Sequence, residues 1–418
     1  MNKKSNSKSY LNPIFLLNFI FCLSLGFHAL HAQTDNQIIF DSLTVELSKL
    51  AGKKHINGFG VAIVDAEKTL YQKGFGFANK QQQTPYTIHT VQNIASISKT
   101  FLGIALLKAE ELGKLKLDDP INKYLPFEVS NPRYPEVPIT IRQLSTHTSS
   151  IIDTKIYDQK SYVLVDLGEK TKIEGSINPG NFNEVNSHTT MGIFLEKVLS
   201  KNGNWYQKKG FLKSKPGERF NYSNVGATLA AYVLEKATGE SYKSFSKKHI
   251  LNPLQMNSSG WSFKDIDIEK HSILYESVDN PFNFYTLITY PDGGLITSVH
   301  DLAIYLNELI KGYSGRGILL SQKSYKVLFE TQLEDVHFEE RNADNAYNDE
   351  YNMGVFMGFS AKGNIGHTGG DPGVTTLMFF NESSKKGQLI LVNTDFDEKG
   401  FDDFKAVWKA LEAVREKL

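Results

Sequence analysis

Three short segments, far apart in the chain, carry side chains that could act together in one chemical step. Ser96 and Lys99 lie three residues apart at the start of an apolar run, so their hydroxyl and amine would share one face of a helix. Tyr222 and Asn224 supply a phenol and a carboxamide, and the segment at His367 is strand-like and rich in glycine. Together they offer a nucleophile, a base, a proton relay and an oxyanion-binding backbone, which a serine acyl-enzyme without a Ser-His-Asp triad requires.

The Ser-x-x-Lys pattern alone is weak evidence, because it occurs four times in this chain. The four serines are Ser5, Ser96, Ser244 and Ser383. The first lies in a basic tail, the third in a lysine-rich stretch that we expect to be exposed, and the fourth in a polar turn between two strand-like runs. Only Ser96 precedes a run, residues 100–107, that is too apolar on every side for a surface helix. We therefore predict a buried helix with Ser96 in its first turn.

Such a helix would make Ser96 and Lys99 a reactive pair. Unpaired N–H groups at a helix start favour negative charge near Ser96. Burial would lower the pKa of Lys99, so that its amine could take the proton of the Ser96 hydroxyl. The alternative is a serine that caps a helix ahead of an ordinary surface lysine.

With these motifs in this order, the chain resembles the class C β-lactamase-like family of serine hydrolases. That family also includes D-alanyl-D-alanine carboxypeptidases, D-aminopeptidases and several esterases. Further matching segments lie at residues 113–126, 139–149, 252–256 and 293–303, so the resemblance covers nearly the whole chain. It implies an α/β protein of the α+β type with the β-lactamase/transpeptidase-like fold.

The resemblance also implies the catalytic residues. Ser96 matches the acylating nucleophile of the family, and Lys99 matches its helical lysine. Tyr222 matches the tyrosine that moves a proton between nucleophile, leaving group and water. Whether lysine or tyrosine is the main base differs among such enzymes, so we assign base character to the pair.

The same resemblance implies a set of substrate-binding residues. They are Asn224, His367, Thr368, Gly369 and Gly370. The side chain of Asn224 would contact Lys99 and the substrate, and the backbone N–H of Gly370 would form the oxyanion hole together with the N–H of the nucleophile.

His367 departs from the pattern of the family's β-lactamases, which usually carry lysine there. Histidine at this position resembles the D,D-peptidases and broad-specificity hydrolases of the family. An unperturbed histidine is mostly neutral above about pH 6.5, so it would bind a substrate carboxylate less firmly than lysine does. This favours a substrate other than a β-lactam antibiotic, although His367 could instead be a buried structural histidine. His147 is predicted to be structural and to brace a turn.

The order of strand-like and helical segments predicts how the fold is assembled. An antiparallel sheet built from the N- and C-terminal segments, flanked by helices, would hold an inserted, mainly helical lobe at roughly residues 115–290. Residues 157–204 are polar and poorly patterned, and we interpret them as a variable insertion that shapes the cleft. The predicted strands are 58–65, 70–77, 352–358, 375–380 and 388–393, and the predicted helices include 228–237 and 402–417.

The first 32 residues have the pattern of a signal peptide. Three lysines precede an apolar stretch from Ile14 to Phe27, and Ala32 offers a small residue before a cut at Gln33. We predict a signal peptide at 1–32, a hydrolase domain at 33–418 and a periplasmic or secreted protein without a stable membrane span after cleavage. An uncleaved N-terminal anchor is the alternative. Cys22, the one cysteine, lies in this segment, so the mature chain would have no disulfide.

The composition excludes several other functions. Lys plus Arg and Asp plus Glu each total 46, so the formal net charge is zero and nucleic-acid binding is not expected. The sequence has no Gly-x-Ser-x-Gly elbow and no His-x-x-x-His pair, which argues against an α/β-hydrolase and a zinc hydrolase. We therefore predict no cofactor and no metal, and a small molecule or a peptide as substrate.

Taken together, these observations predict an exported serine hydrolase that forms an acyl-enzyme on Ser96. Its substrate would be a D-alanyl peptide, a D-amino-acid amide, a small ester or a β-lactam. The alternative is a non-hydrolytic protein that binds penicillin or cell-wall fragments and deacylates slowly or not at all.

Overall fold

The computed structural model describes residues 36–185, 187, 189–341, 343 and 347–418. The predicted signal peptide, residues 1–32, lies outside these residues. Within the part of the chain that the structure describes, no helix has the length and apolar character needed to cross a membrane.

The described chain contains fourteen strands, eight of which form one antiparallel sheet. In chain order the strands are β1 (Gly58–Asp65), β2 (Thr69–Asn79), β3 (Thr84–Pro85), β4 (Val91–Asn93), β5 (Tyr162–Leu164), β6 (Tyr275–Ser277), β7 (Asn280–Pro281), β8 (Tyr285–Leu287), β9 (Ile296–Ser298), β10 (Asn352–Met353), β11 (Gly358–Phe359), β12 (Asn364–Asp371), β13 (Val374–Asn381) and β14 (Lys386–Val392). The large sheet has the order β10-β11-β12-β13-β14-β1-β2-β3, and the other strands pair as β4 with β9, β5 with β8 and β6 with β7. The two ends of the chain therefore meet where β1 pairs with β14, which confirms the predicted fold class.

Helices lie on both faces of the sheet, and along the chain they occur between and beside its strands. They are α1 (described over 36–51), α2 (Ser98–Glu111), α3 (Ile141–Ser145), α4 (Lys155–Lys160), α5 (Met191–Leu199), α6 (Asn224–Thr238), α7 (Tyr242–Ser246), α8 (Val299–Tyr313), α9 (Gln322–Leu328) and α10 (Glu398–Lys417). The segment predicted as a helical lobe, 115–290, contains α3 to α7 together with the short strands β5 to β8.

Strand β1 carries no polar side chain before its last residue, Asp65, and helices cover both of its faces. Alternate side chains of a strand point to opposite faces of the sheet. Phe59, Val61 and Ile63 pack in a cluster with residues of α1 and α10. Ala62 and Val64 belong to the larger core that contains α2, α6 and α8.

Helix α2 lies at the centre of that larger core and packs against α6, α7 and α9. Eleven of its fourteen residues are buried, as its apolar circumference predicts. The helix begins at Ser98, however, and Ser96 lies in the 3₁₀ turn Ala95–Ile97 that precedes it, not in the first α-helical turn that we predicted.

The predicted strand 352–358 is also different in the structure. It consists of the two short strands β10 and β11, which pair with each other as a tight hairpin. Phe356, between them, has a φ of +51°, a left-handed conformation that a continuous strand does not allow. The side-chain pattern does not reveal such a turn because the connecting residues are apolar.

Replacing Gly103 with alanine should destabilise the fold. A Cβ at this position of α2 would lie 2.2 Å from the carbonyl oxygen of Val355, so helix and loop would have to move apart. We expect the free energy of unfolding to fall by roughly 1–3 kcal/mol, measured by urea denaturation, despite the better helix propensity of alanine. Gly180→Ala is the control, because a Cβ there meets no atom within 4 Å. Equal stability of the two variants would contradict the close packing of α2 on this loop.

Candidate active site

Ser96 is presented on a tight turn that is held from two sides. Strand β4 leads into the turn, and Ala95 has a φ of +48°, which is uncommon for a residue with a side chain and stores strain. The carbonyl of Ile94 accepts a hydrogen bond from Thr376 Oγ1 of β13 at 2.9 Å. The N–H of Ile94 donates to the carbonyl of Leu295 at 3.0 Å. The nucleophile candidate therefore has a fixed position relative to the sheet.

Lys99 is the most completely buried charged side chain of the site, with no exposed surface. Its Nζ donates hydrogen bonds to Ser96 Oγ at 3.0 Å, to Asn224 Oδ1 at 2.7 Å and to the carbonyl oxygen of Asp292 at 2.6 Å. These three acceptors match the three donors of a lysine ammonium. Burial lowers the pKa of Lys99 below its ordinary value, and nearby carboxylates, first that of Asp292, oppose this effect.

Tyr222 lies beside Lys99, whose Nζ is 5.0 Å from the centre of the tyrosine ring. The hydroxyl of Tyr222 is buried and makes no hydrogen bond of good geometry. Burial raises the pKa of Tyr222 well above its ordinary value, and the nearby Ser96 hydroxyl offsets only part of the rise. Tyr222 is therefore a protonated phenol at neutral pH, which can donate a proton.

Asn224 is the first residue of α6, and the start of that helix is anchored by Asp153. Ser223 caps the helix through a hydrogen bond from the N–H of Gly226 to its Oγ at 2.9 Å. The Asp153 carboxylate accepts from the N–H groups of Asn224 at 2.8 Å and Val225 at 3.0 Å, and from Ser223 Oγ at 3.0 Å. Asp153 therefore fixes the backbone from which the Asn224 amide reaches Lys99.

His147 packs behind Tyr222, with the two ring centres 4.4 Å apart. Its Nδ1 accepts a hydrogen bond from the N–H of Ser223 at 3.2 Å, so this nitrogen carries no proton. Burial lowers the pKa of His147 well below its ordinary value, and the charge of Lys99 lowers it further. A neutral histidine that braces the loop before α6 agrees with the structural role that we predicted.

The segment at His367 lies within strand β12. His367 is 2% exposed, and its Nδ1 lies 2.6 Å from the carbonyl oxygen of Thr368 and 3.2 Å from Asp349 Oδ2. Both neighbours are acceptors, so Nδ1 carries the proton and Nε2 is the acceptor of the neutral ring. Burial lowers the pKa of His367, and the Lys99 charge adds to this, while Asp349 and the Thr368 carbonyl oppose it. Asp349 also accepts from the N–H of Thr368 at 2.8 Å.

The two glycines after Thr368 bring β12 against the turn that carries Ser96. A Cβ at Gly369 would lie 2.6 Å from the carbonyl oxygen of Ile94 and 3.2 Å from the Cβ of Ala95, so only glycine allows this approach. A Cβ at Gly370 would meet no atom within 4 Å, so open space lies next to this residue. The backbone of Gly370 thus borders open space beside the turn that carries Ser96.

The structure brings Ser96, Lys99 and Asn224 into direct contact, but three acidic residues of the site were not predicted. Asp153, Asp292 and Asp349 contact the predicted residues, yet none of them belongs to a motif that the sequence analysis used. Only their contacts in the folded chain reveal them. Among the residues that the structure describes, no group of three histidine, cysteine, aspartate or glutamate side chains is placed to hold a metal ion.

Comparisons with known proteins show which family and fold the chain shares. A family model described as Beta-lactamase matches residues 40–412 of the chain. Protein flp of Staphylococcus aureus (strain MW2) is 28% identical over 257 residues, which are 60% of this chain and 45% of that protein. The match therefore spans about half the length of this relative.

Two solved structures share the fold. The D-amino acid amidase of Ochrobactrum anthropi SV3, in complex with L-phenylalanine, superimposes with a TM-score of 0.65 at 18% identity, over 90% of this chain and 99% of that chain. A class C beta-lactamase superimposes with a TM-score of 0.64 at 20% identity, over 91% of this chain and 97% of that chain.

Replacing Asp153 with alanine should loosen the start of α6. Three donors would lose their acceptor, so we expect the free energy of unfolding to fall by about 2 kcal/mol or more in urea denaturation followed by tryptophan fluorescence. Glu196→Ala, which removes an exposed carboxylate from α5, should change stability by less than about 0.5 kcal/mol. An unchanged unfolding midpoint in Asp153→Ala would show that these hydrogen bonds do not hold the helix start.

Proposed function

Because the chain belongs to the beta-lactamase family, we propose that it is a serine hydrolase that works through an acyl-enzyme on Ser96. The observation that carries this proposal is the hydrogen bond of 3.0 Å between Nζ of the buried Lys99 and Oγ of the half-buried Ser96. A buried amine in contact with a serine hydroxyl is the arrangement that activates a nucleophile without a histidine triad.

In the acylation step, the free amine of Lys99 takes the proton of Ser96 as Oγ attacks the substrate carbonyl. The backbone N–H groups of Ser96 and Gly370 would bind the oxyanion that forms. The phenol of Tyr222 gives its proton to the leaving group and regains one from Lys99. In deacylation, a water molecule attacks the ester, and the same pair returns the proton to Ser96 Oγ.

The charges around the site favour a substrate that does not depend on a carboxylate. His367 is neutral at neutral pH because burial lowers its pKa, so Lys99, in its ammonium form, is the one cationic side chain among the residues described above. Asp153, Asp292 and Asp349 surround it with negative charge, which would repel a second carboxylate. We therefore expect small esters and amino-acid amides to be better substrates than β-lactams and D-alanyl peptides with a free carboxylate.

Several parts of the proposal rest on the sequence. Residues 1–32 would direct export, and residues 33–418 would form the hydrolase in the periplasm or outside the cell. Substrate contacts by Asn224, His367, Thr368, Gly369 and Gly370 are likewise part of the proposal.

Ser96 should become covalently modified by a fluorescent fluorophosphonate. We expect the adduct on the peptide that contains Ser96, as read by mass spectrometry, and no adduct in Ser96→Ala. Ser244→Ala is the matched control, because Ser244 starts another Ser-x-x-Lys pattern but is exposed on α7. Labelling at Ser244 or Ser98 would contradict the assignment. With a chromogenic ester, a stoichiometric burst without turnover would favour the non-hydrolytic binding protein.

The pH dependence of selectivity tests His367. We compare kcat/KM for a peptide with a free C-terminal carboxylate with kcat/KM for its amide. Only the imidazolium form of His367 attracts the carboxylate, so the ratio should be low at neutral pH. It should rise as pH falls through the pKa of His367, which lies below the ordinary value of about 6.5.

Two variants complete this test. In His367→Lys the ratio should be higher at neutral pH, and in His367→Gln it should be low and rise less than in the wild type as pH falls, because only carboxyl groups such as Asp292 still titrate in this range. Thermal melting of both variants checks that the fold is retained. A ratio in the wild-type protein that does not change with pH would mean that His367 has no part in substrate selection.

A further inference from the structure

The carboxylate of Asp292 lies inside the core beneath Lys99, and the mechanism above does not use it. Asp292 is 1% exposed and ends the 3₁₀ turn Tyr290–Asp292 ahead of two glycines. Its backbone carbonyl accepts the hydrogen bond of 2.6 Å from Lys99 Nζ, so the residue is a direct neighbour of the proposed base. Burying a carboxyl group here is costly unless it is compensated.

Two neutral hydroxyl groups hold this carboxylate. Tyr157 donates to Asp292 Oδ1 at 3.0 Å, and Thr228 of α6 donates to Oδ2 at 2.8 Å. No cation touches either oxygen among the described residues, and Lys99 is the positive group whose charge favours ionisation of Asp292. Burial raises the pKa of Asp292 to about 6, so the group is largely ionised at neutral pH.

We propose that Asp292 is the buried counter-ion of Lys99 and sets the pH range in which Lys99 is a free amine. The inference rests on the proposed function, since it concerns the base of that reaction. An ionised carboxylate near Lys99 stabilises the ammonium form, so Lys99 loses its proton only at higher pH. Tyr157 and Thr228 serve this role by fixing the carboxylate below the amine instead of letting it reach solvent.

Other titratable groups also shift the pKa of Lys99, but each carboxylate among them is held by different hydrogen bonds. Asp153 binds the start of α6, Asp349 binds Thr368 and His367, and Asp371 accepts from Tyr162 at 2.6 Å. Of the carboxylates around Lys99, Asp292 acts most strongly on it, and it alone also supplies a backbone acceptor to Nζ. The remaining titratable neighbours of Lys99 are Glu350, His147, His367 and Tyr222.

The test is the pH dependence of acylation by a fluorophosphonate, measured as a second-order rate constant so that it reports the free enzyme. In the wild-type protein the rate should rise with pH as Lys99 loses its proton. In Asp292→Asn the counter-charge is absent and the shape is kept, so the same rise should occur at lower pH, by about one pH unit or more. A purely structural role would lower the rate at every pH and leave the midpoint unchanged.

Two further variants make the result decisive. Asp301→Asn alters a carboxyl group of similar burial that binds Ser258 and Ser259 away from Lys99, so its midpoint should equal that of the wild type. Tyr157→Phe removes one donor from Asp292 and should move the midpoint in the same direction as Asp292→Asn, by less. It also tests the inference if Asp292→Asn does not fold.

The outcomes separate the inference from the proposed function. If acylation still depends on Ser96 but the midpoint in Asp292→Asn is unchanged or higher, the role of Asp292 is overturned and the hydrolase proposal stays intact. If Asp292→Asn does not fold, the same result in Tyr157→Phe has the same meaning. Acylation that persists in Ser96→Ala would overturn the proposed function itself. A lowered midpoint in both variants, with Asp301→Asn unchanged, supports the inference.

Discussion

The structure of the site depends on one constraint, the burial of the Lys99 amine. An ammonium group without solvent needs an acceptor for each of its three N–H bonds. Those acceptors come from the turn before α2, from the first residue of α6 and from the turn before β9. Three elements that are distant in sequence are therefore held at one point, and a displacement of any of them would leave a buried donor without a partner.

Each acceptor of Lys99 is in turn fixed by a neighbour. Asp153 holds the backbone of Asn224, while Tyr157 and Thr228 hold Asp292. These contacts have two opposite effects on the amine. Burial favours the neutral amine, and the carboxylates favour the ammonium form. The balance sets the pH at which Lys99 becomes a free amine, which in the proposed reaction is the form that accepts the Ser96 proton.

The backbone forms the other side of the site. The close approach of Gly369 to the carbonyl of Ile94, and the left-handed φ of Ala95, place β12 next to the turn that carries Ser96. The same strand buries His367 with its Nδ1 against acceptors, which makes its neutral ring an acceptor at Nε2. A lysine in this place would have a higher intrinsic pKa than histidine, so its charged form would persist to higher pH. The choice of side chain at this position thus changes the electrostatics without changing the strand.

The sequence by itself determined the fold class, through the resemblance to a known family, the strand β1 at its exact bounds, and the contacts of Lys99 with Ser96 and Asn224. The patterns behind these predictions lie within short segments: a short continuous apolar run is consistent with a buried strand, a fully apolar circumference indicates a buried helix, and the motifs carry their chemistry in adjacent residues. Tertiary structure alone decided the rest. The 3₁₀ turn at Ser96, the left-handed Phe356 and the contacts of Asp153, Asp292 and Asp349 arise from segments that are remote in sequence. An aspartate acquires such a role only when folding places donors around it and removes water, and no local pattern records either event.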